Sequence, residues 1–205
     1  MIPSIMCRRI EVTAGFWLLL AAAYYFMDAA IVLLTVPSVA LHELAHYAAL
    51  RLCGAEVRRV RLTAFGAEMQ IENEMALSYG REIFCAAAGP LCNIVLALIS
   101  ALLAEGNEVF LLLAGINGVQ AAFNLLPFEA SDGGRMLRAA LCGLLGLETG
   151  ERVSGMTGGF CAAAVLLFSA WVMLKTGGNG FLLLGAIGLI LPMRKRCLKK
   201  GLKPV

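Results

Sequence analysis

Apolar residues fill this chain in long blocks that polar positions interrupt only briefly. Residues 16–27 are uniformly apolar or aromatic, and Asp28 breaks the run. A single membrane span over residues 16–36 would place Asp28 near its centre, where a carboxylate is costly in lipid. The pattern therefore predicts a short first helix over residues 14–27, a tight turn at Asp28, and a second helix over residues 29–53. Gly54 suits the C′ position that closes such a helix. Pro37 lies inside the second helix, where it frees a backbone carbonyl and can kink the axis.

The pattern changes at residue 55. Val57, Val60, Leu62, Ala64 and Phe65 alternate loosely with arginines, and Met69 and Ile71 alternate with Gln70 and Glu72. Phe65-Gly66-Ala67 divides the two halves. This predicts a β-hairpin, or a pair of short strands, over residues 55–74 at the membrane edge. Backbone with an open edge at membrane depth must be shielded by protein or line a polar cavity, so the hairpin is expected to pack close to an active site. Residues 1–13 hint at a little extended structure through Ile10, Val12 and Thr13.

Helical blocks resume over residues 75–104 and 108–126, separated by Glu105-Gly106-Asn107. Pro127 breaks the second of these, and Phe128-Glu129-Ala130-Ser131-Asp132-Gly133-Gly134 follows. Residues 135–147 predict a short interfacial helix, 153–174 a fifth span and 181–193 a short sixth, with a basic tail over 194–205. The expectation is an all-α polytopic membrane protein of six transmembrane helices, with a small membrane-associated β-hairpin after the second. Residues 1–193 form its single domain.

Composition supports the membrane assignment. The 205 residues are 60% hydrophobic and 15% charged, with a mean hydropathy of +0.82, against about 25% charged in ordinary soluble domains. Several blocks reach the roughly 20 residues needed to cross a hydrocarbon core. Arg8 and Arg9 precede the first block without a small-residue cleavage site, which reads as an uncleaved span rather than a signal peptide. If the N-terminal arm, the 51–82 and 127–157 loops and the tail share one side, that side holds 16 of the 17 basic residues, leaving Lys175 alone. Positive residues gather on the cytoplasmic side, so both termini are expected there. Nucleic-acid binding finds no support, since no basic cluster is interleaved with aromatics. The seven cysteines are scattered without a C-x-x-C pair, so neither a disulfide framework nor a thiolate zinc site is indicated.

Two histidines, the only ones in the chain, stand at His42 and His46 with Glu43 between them. Residues i and i+4 share a helix face, so both imidazoles can grip one zinc ion. Glu43 lies one step round the helix, where it can take a proton from a water on that ion. A catalytic zinc needs a third protein ligand and an open position. Asp132 is the best remaining candidate: it follows a proline break at the end of a span and precedes two glycines that allow close backbone folding. The competing role for Asp132 is N-cap of the helix that follows, and the two roles can coexist.

Here the chain resembles a known family, the site-2 intramembrane metalloproteases of peptidase family M50. H-E-x-x-H matches His42, Glu43 and His46; N-x-x-P-x-x-x-x-D-G matches Asn124, Pro127, Asp132 and Gly133; G-P-x-x-N matches Gly89, Pro90 and Asn93. The resemblance runs over about residues 10–193 and is greatest to the compact six-span group of the sporulation factor IVFB protease, which has a β-hairpin after the zinc helix. It implies one zinc ion per chain, held by His42, His46 and Asp132, with Glu43 as general base. It also brings Asn124 near the site, either holding the substrate backbone or oxyanion or merely capping the broken helix. Gly89 and Pro90 read as a packing kink and Asn93 as a bond between helices. The implied partners are a membrane-associated protein substrate, membrane inhibitors or regulators, and the bilayer itself. The implied place is a bacterial cell membrane, and the implied substrate a sigma-factor precursor during sporulation.

Two departures stand out. Glu129-Ala130-Ser131 precede Asp132 where the family usually has a leucine, often after prolines. Neither a PDZ domain nor a nucleotide-sensing CBS domain is expected. The alternative reading is a non-proteolytic membrane protein, either a metal transporter or an inactive relative that binds partners. The intact Glu43 weighs against an inactive relative, and the small ligand set weighs against a transporter.

Overall fold

The computed structural model describes residues 9–63, 66–71, 77–129 and 131–176. The chain divides into two compact units, residues 1–122 and 123–205.

The first unit begins with β1 (Arg9–Val12), α1 (Ala14–Phe26) and α2 (Ala29–Leu52). Asp28 is the N-cap of α2 and accepts the Ala30 N–H at 2.8 Å. A carboxylate that looked costly inside a span is thus used at a helix start, where backbone N–H groups lack partners. At the other end Gly54 takes φ +80°. The Gly54 N–H donates to the Arg51 carbonyl and the Ala55 N–H to the Leu50 carbonyl, both at 3.0 Å. This is a Schellman closure, which needs a left-handed residue and so favours glycine.

β2 (Val57–Thr63) and β3 (Gly66–Ile71) then form the expected antiparallel hairpin, with Val60 opposite Met69 and Leu62 opposite Ala67. The hairpin is not isolated. β1 pairs in parallel with the free edge of β2, Ile10 beside Val60 and Val12 beside Leu62, making a three-stranded sheet. The extended structure hinted at by Ile10, Val12 and Thr13 is thus a strand, and the partner edge defines it. Val57 joins Ala49, Leu50, Ala55 and Cys85 in a buried cluster, with Val60, Met69 and Ile71 packed against it. The sheet is therefore fixed to the C-terminal end of α2 and the start of α3 (Tyr79–Leu102). α4 (Glu108–Leu125) follows, and the buried Asn117 in it donates to Ser38 Oγ of α2 at 3.2 Å.

The second unit takes in the last turn of α4, a short connection, α5 (Asp132–Leu145) and α6 (Leu147–Thr176). Gly146 joins the two helices at φ +82°. A Cβ on Gly150 would lie 2.5 Å from the Cys142 backbone, so α5 and α6 meet at backbone distance. Arg138 and Glu151 pair across them at 3.6 Å.

Among the described residues α2, α3, α4 and α6 are long and apolar enough to cross a membrane, and α1 is a shorter apolar helix. The fifth predicted span begins at Leu147 rather than at residue 153: its first turn is polar, and Glu148 and Arg152 pair there at 3.8 Å. The sixth predicted span and the basic tail lie outside the described residues.

Candidate metal centre

The centre is built on matched stripes of two helices. Ser38, His42 and His46 recur every four residues on α2, and Cys85, Gly89 and Asn93 do so on α3. Residues at this spacing share a face, and all six are buried. His42 Nδ1 donates to Asn93 Oδ1 at 3.3 Å, and His46 Nδ1 donates to the Cys85 carbonyl at 2.7 Å. Both acceptors draw the Nδ1 proton toward themselves and turn each ring's Nε2 the other way. The two Nε2 atoms then stand 3.1 Å apart. Both Nε2 atoms thus come to one place, and an imidazole whose far nitrogen is held by an acceptor is the usual form of a histidine metal ligand.

Gly89 makes this convergence possible. A Cβ there would lie 2.3 Å from His46 Nε2, 2.7 Å from His42 Nε2 and 2.6 Å from His42 Cε1. The glycine and the asparagine of the G-P-x-x-N motif thus serve the histidines directly, one by leaving room and the other by holding a ring. Pro90, also buried, follows within the same turn.

Glu43 is half-buried, and its Oε1 accepts the Ala67 N–H of β3 at 3.0 Å. The tip of the hairpin therefore lies against the glutamate, as its predicted closeness to the site requires. A Cβ on Gly66, where φ is +122°, would come within 3.3 Å of the same oxygen.

In the second unit Asp132 is buried and is the first residue of α5. It is not the N-cap. Ser131 takes that place, its Oγ accepting the Gly134 N–H at 3.2 Å and lying against the carbonyls of Leu126 and Phe128. The competing role for Asp132 is thereby filled by its neighbour. The connection folds so tightly that a Cβ on Gly133 would lie 2.1 Å from the Leu125 carbonyl oxygen, and one on Gly134 only 1.4 Å from that of Phe128. Arg135 Nη1 stands 3.7 Å from Asp132 Oδ1. Asn124 is half-buried in the last turn of α4; among the described residues its side chain makes no hydrogen bond, so no capping bond marks it. Pro127 follows the end of that helix, and Phe128 beyond it is buried.

His42 and His46 in the first unit each offer an imidazole nitrogen, and Asp132 in the second is a buried carboxylate. Imidazole nitrogens and a carboxylate oxygen are ligand types that suit zinc.

The family model described as peptidase family M50 matches residues 29–107, a stretch that contains both histidines, Glu43, Gly89 and Asn93. The matches support peptidase family M50. A zinc metalloprotease of Methanocaldococcus jannaschii is 26% identical over 147 residues, covering 68% of this chain and 42% of that protein. A provisionally named zinc metalloprotease of Synechocystis is 29% identical over 163 residues, covering 76% of this chain and 41% of its own length. The chain thus spans about two-fifths of the length of the curated relatives it matches. The solved site-2 protease from Methanocaldococcus jannaschii shares the fold, with a TM-score of 0.66 at 23% identity, over 92% of this chain and 90% of that one.

Sequence reasoning missed two supports of the site. The Cys85 acceptor is a backbone carbonyl, which leaves no mark in sequence. The Ala67 N–H is likewise backbone. Asn93 was visible as a motif residue, and an amide within an apolar helix was the signal that it meets another polar group.

Proposed function

We propose that the chain is an intramembrane zinc endopeptidase of the site-2 type, cutting a membrane-associated protein near the cytoplasmic face. The observation that carries this reading is the pair of Nε2 atoms converging to 3.1 Å, next to Glu43, on a helix apolar enough to cross a membrane. His42, His46 and Asp132 are the proposed ligands of one zinc ion per chain, as the matched motifs imply. When bound, zinc lowers the pKa of a coordinated water toward about 7 and polarises a peptide carbonyl.

The remaining work falls to the chain's own residues. Asn93 and the Cys85 carbonyl hold the imidazoles in the ligating tautomer. Glu43 takes a proton from the attacking water and delivers it to the leaving amine. The Ala67 N–H fixes one carboxylate oxygen and leaves the other to move the proton. A substrate helix hides its carbonyls and must unwind to be cut, and the edge of β3 offers a place for the extended segment to pair. By the same resemblance Asn124 is proposed to hold the substrate backbone or the oxyanion.

By resemblance to the sporulation factor IVFB group, the proposed substrate is a sigma-factor precursor. The proposed setting is a bacterial cell membrane with six spans and both termini cytoplasmic, the side indicated by the basic residues.

The Glu43→Gln variant tests the chemistry. It is expected to keep zinc, since no ligand changes, and to abolish cleavage of a co-expressed candidate substrate. Unchanged processing by that variant overturns the mechanism.

A further inference from the structure

We propose that Cys53 and Cys85 form a reversible disulfide whose closure loosens the metal centre. The Cys85 thiol donates to the Cys53 sulfur at 3.6 Å, bringing the end of α2 against the first turns of α3. Of the other described cysteines, Cys92 and Cys142 instead lie against the carbonyls of Leu41 and Leu147. Cys53 is the half-buried C-cap of α2, beside the exposed Leu52 and Gly54, so an oxidant can reach it. Cys85 is 2% exposed and acts as the resolving partner. A small peroxide is the oxidant class this arrangement admits. Cys53 attacks one peroxide oxygen, the O–O bond breaks, and one water leaves as the sulfur becomes a sulfenic acid. Cys85 then attacks that sulfur, the S–S bond forms and a second water leaves. Two thiols are oxidised and one peroxide is reduced.

The consequence follows from the backbone. A disulfide brings its sulfurs to about 2.0 Å, well inside the present 3.6 Å. That contraction draws Cys85 toward the end of α2, and the Cys85 carbonyl is the acceptor that holds His46 Nδ1. Losing such an outer partner weakens metal binding by about 10- to 100-fold. This second half rests on the zinc reading; the cross-link itself does not. The proposed ligands contain no sulfur, so peroxide leaves the donor set intact.

The test uses the full chain, zinc-loaded in detergent, exposed to hydrogen peroxide and then digested without reductant. A peptide joining Cys53 to Cys85 is expected by mass spectrometry. Zinc retained against a graded chelator is expected to fall about 10-fold or more and to recover after reduction. Cys53→Ser is expected to show neither effect. If that variant does not fold, the wild-type measurement decides alone. Absence of the joined peptide overturns the proposal, and a joined peptide with unchanged zinc retention overturns the link to the centre. Failure of the protease reading appears elsewhere, as continued cleavage by Glu43→Gln.

Discussion

Gly89→Ala separates a structural glycine from one that makes room for a metal site. Helix propensity alone expects alanine to stabilise a helix interior by about 1 kcal/mol relative to glycine. The structure expects a different result. The new methyl would start 2.3 Å from His46 Nε2 and 2.7 Å from His42 Nε2, whereas non-bonded heavy atoms rest about 3.5–4.0 Å apart. Each ring must therefore retreat by about 1 Å or the two helices must separate. Retreat is opposed by the far nitrogens, which are held at 2.7 Å by the Cys85 carbonyl and 3.3 Å by Asn93. Zinc–nitrogen bonds are about 2.0–2.1 Å and tolerate errors of about 0.2 Å, so a displacement of about 1 Å costs far more than a mistuned ligand. We expect zinc affinity to fall at least about 100-fold, the upper end for loss of an outer partner. Zinc content measured after equilibration with graded chelator, beside thermal unfolding of the metal-free protein, reads the two effects separately. Retention of zinc within about threefold of wild type would refute the reasoning, because two ligand atoms cannot hold place against a methyl at these distances.

Other outcomes follow from the same geometry. Asn93→Leu removes the acceptor for His42 Nδ1 and is expected to lower zinc affinity by about 10- to 100-fold, read by the same chelator competition. Gly134→Ala drives a Cβ into the Phe128 carbonyl and is expected to lower the unfolding midpoint clearly, while Gly115→Ala, which meets nothing within 4 Å, leaves it unchanged or raises it. Ser131→Ala removes the cap of α5 and is expected to cost about 1 kcal/mol in chemical denaturation. Retention of full stability by Gly134→Ala would mean that the connection before α5 is looser than described.

Much of this was legible in sequence, for reasons that also explain the rest. His42 and His46 were readable because the helical period alone puts them on one face. Residues 57–71 were readable as a hairpin because strands of alternating character flank a glycine. β1 was legible only as a hint of extended structure at Ile10, Val12 and Thr13, because its pairing depends on the edge of β2. The early start of α6 escaped because hydropathy reports the surroundings of a residue rather than its backbone. Leu147 to Arg152 is polar, yet helical, with Glu148 and Arg152 one turn apart. Asp132 was readable as a ligand candidate, and the cap weighed as its competing role belongs to the adjacent serine.

The motif on α3 shows why H-E-x-x-H alone does not define this centre. Gly89 and Asn93 are four residues apart, the same separation as His46 and His42, and the pairs face one another in reverse order. Asn93 meets His42, while His46 is met by Gly89 and, four residues earlier, by the Cys85 carbonyl. Two helices with equal repeats running in opposite directions stay in register over this whole stretch, so one α3 face can provide space and acceptors to both imidazoles. Shifting either glycine or asparagine by one residue would turn it about 100° round the helix and away from its histidine. The spacing within G-P-x-x-N is therefore a geometric complement to the spacing within H-E-x-x-H, and a chain carrying only the second would lack the acceptor for His42 and the room for both rings.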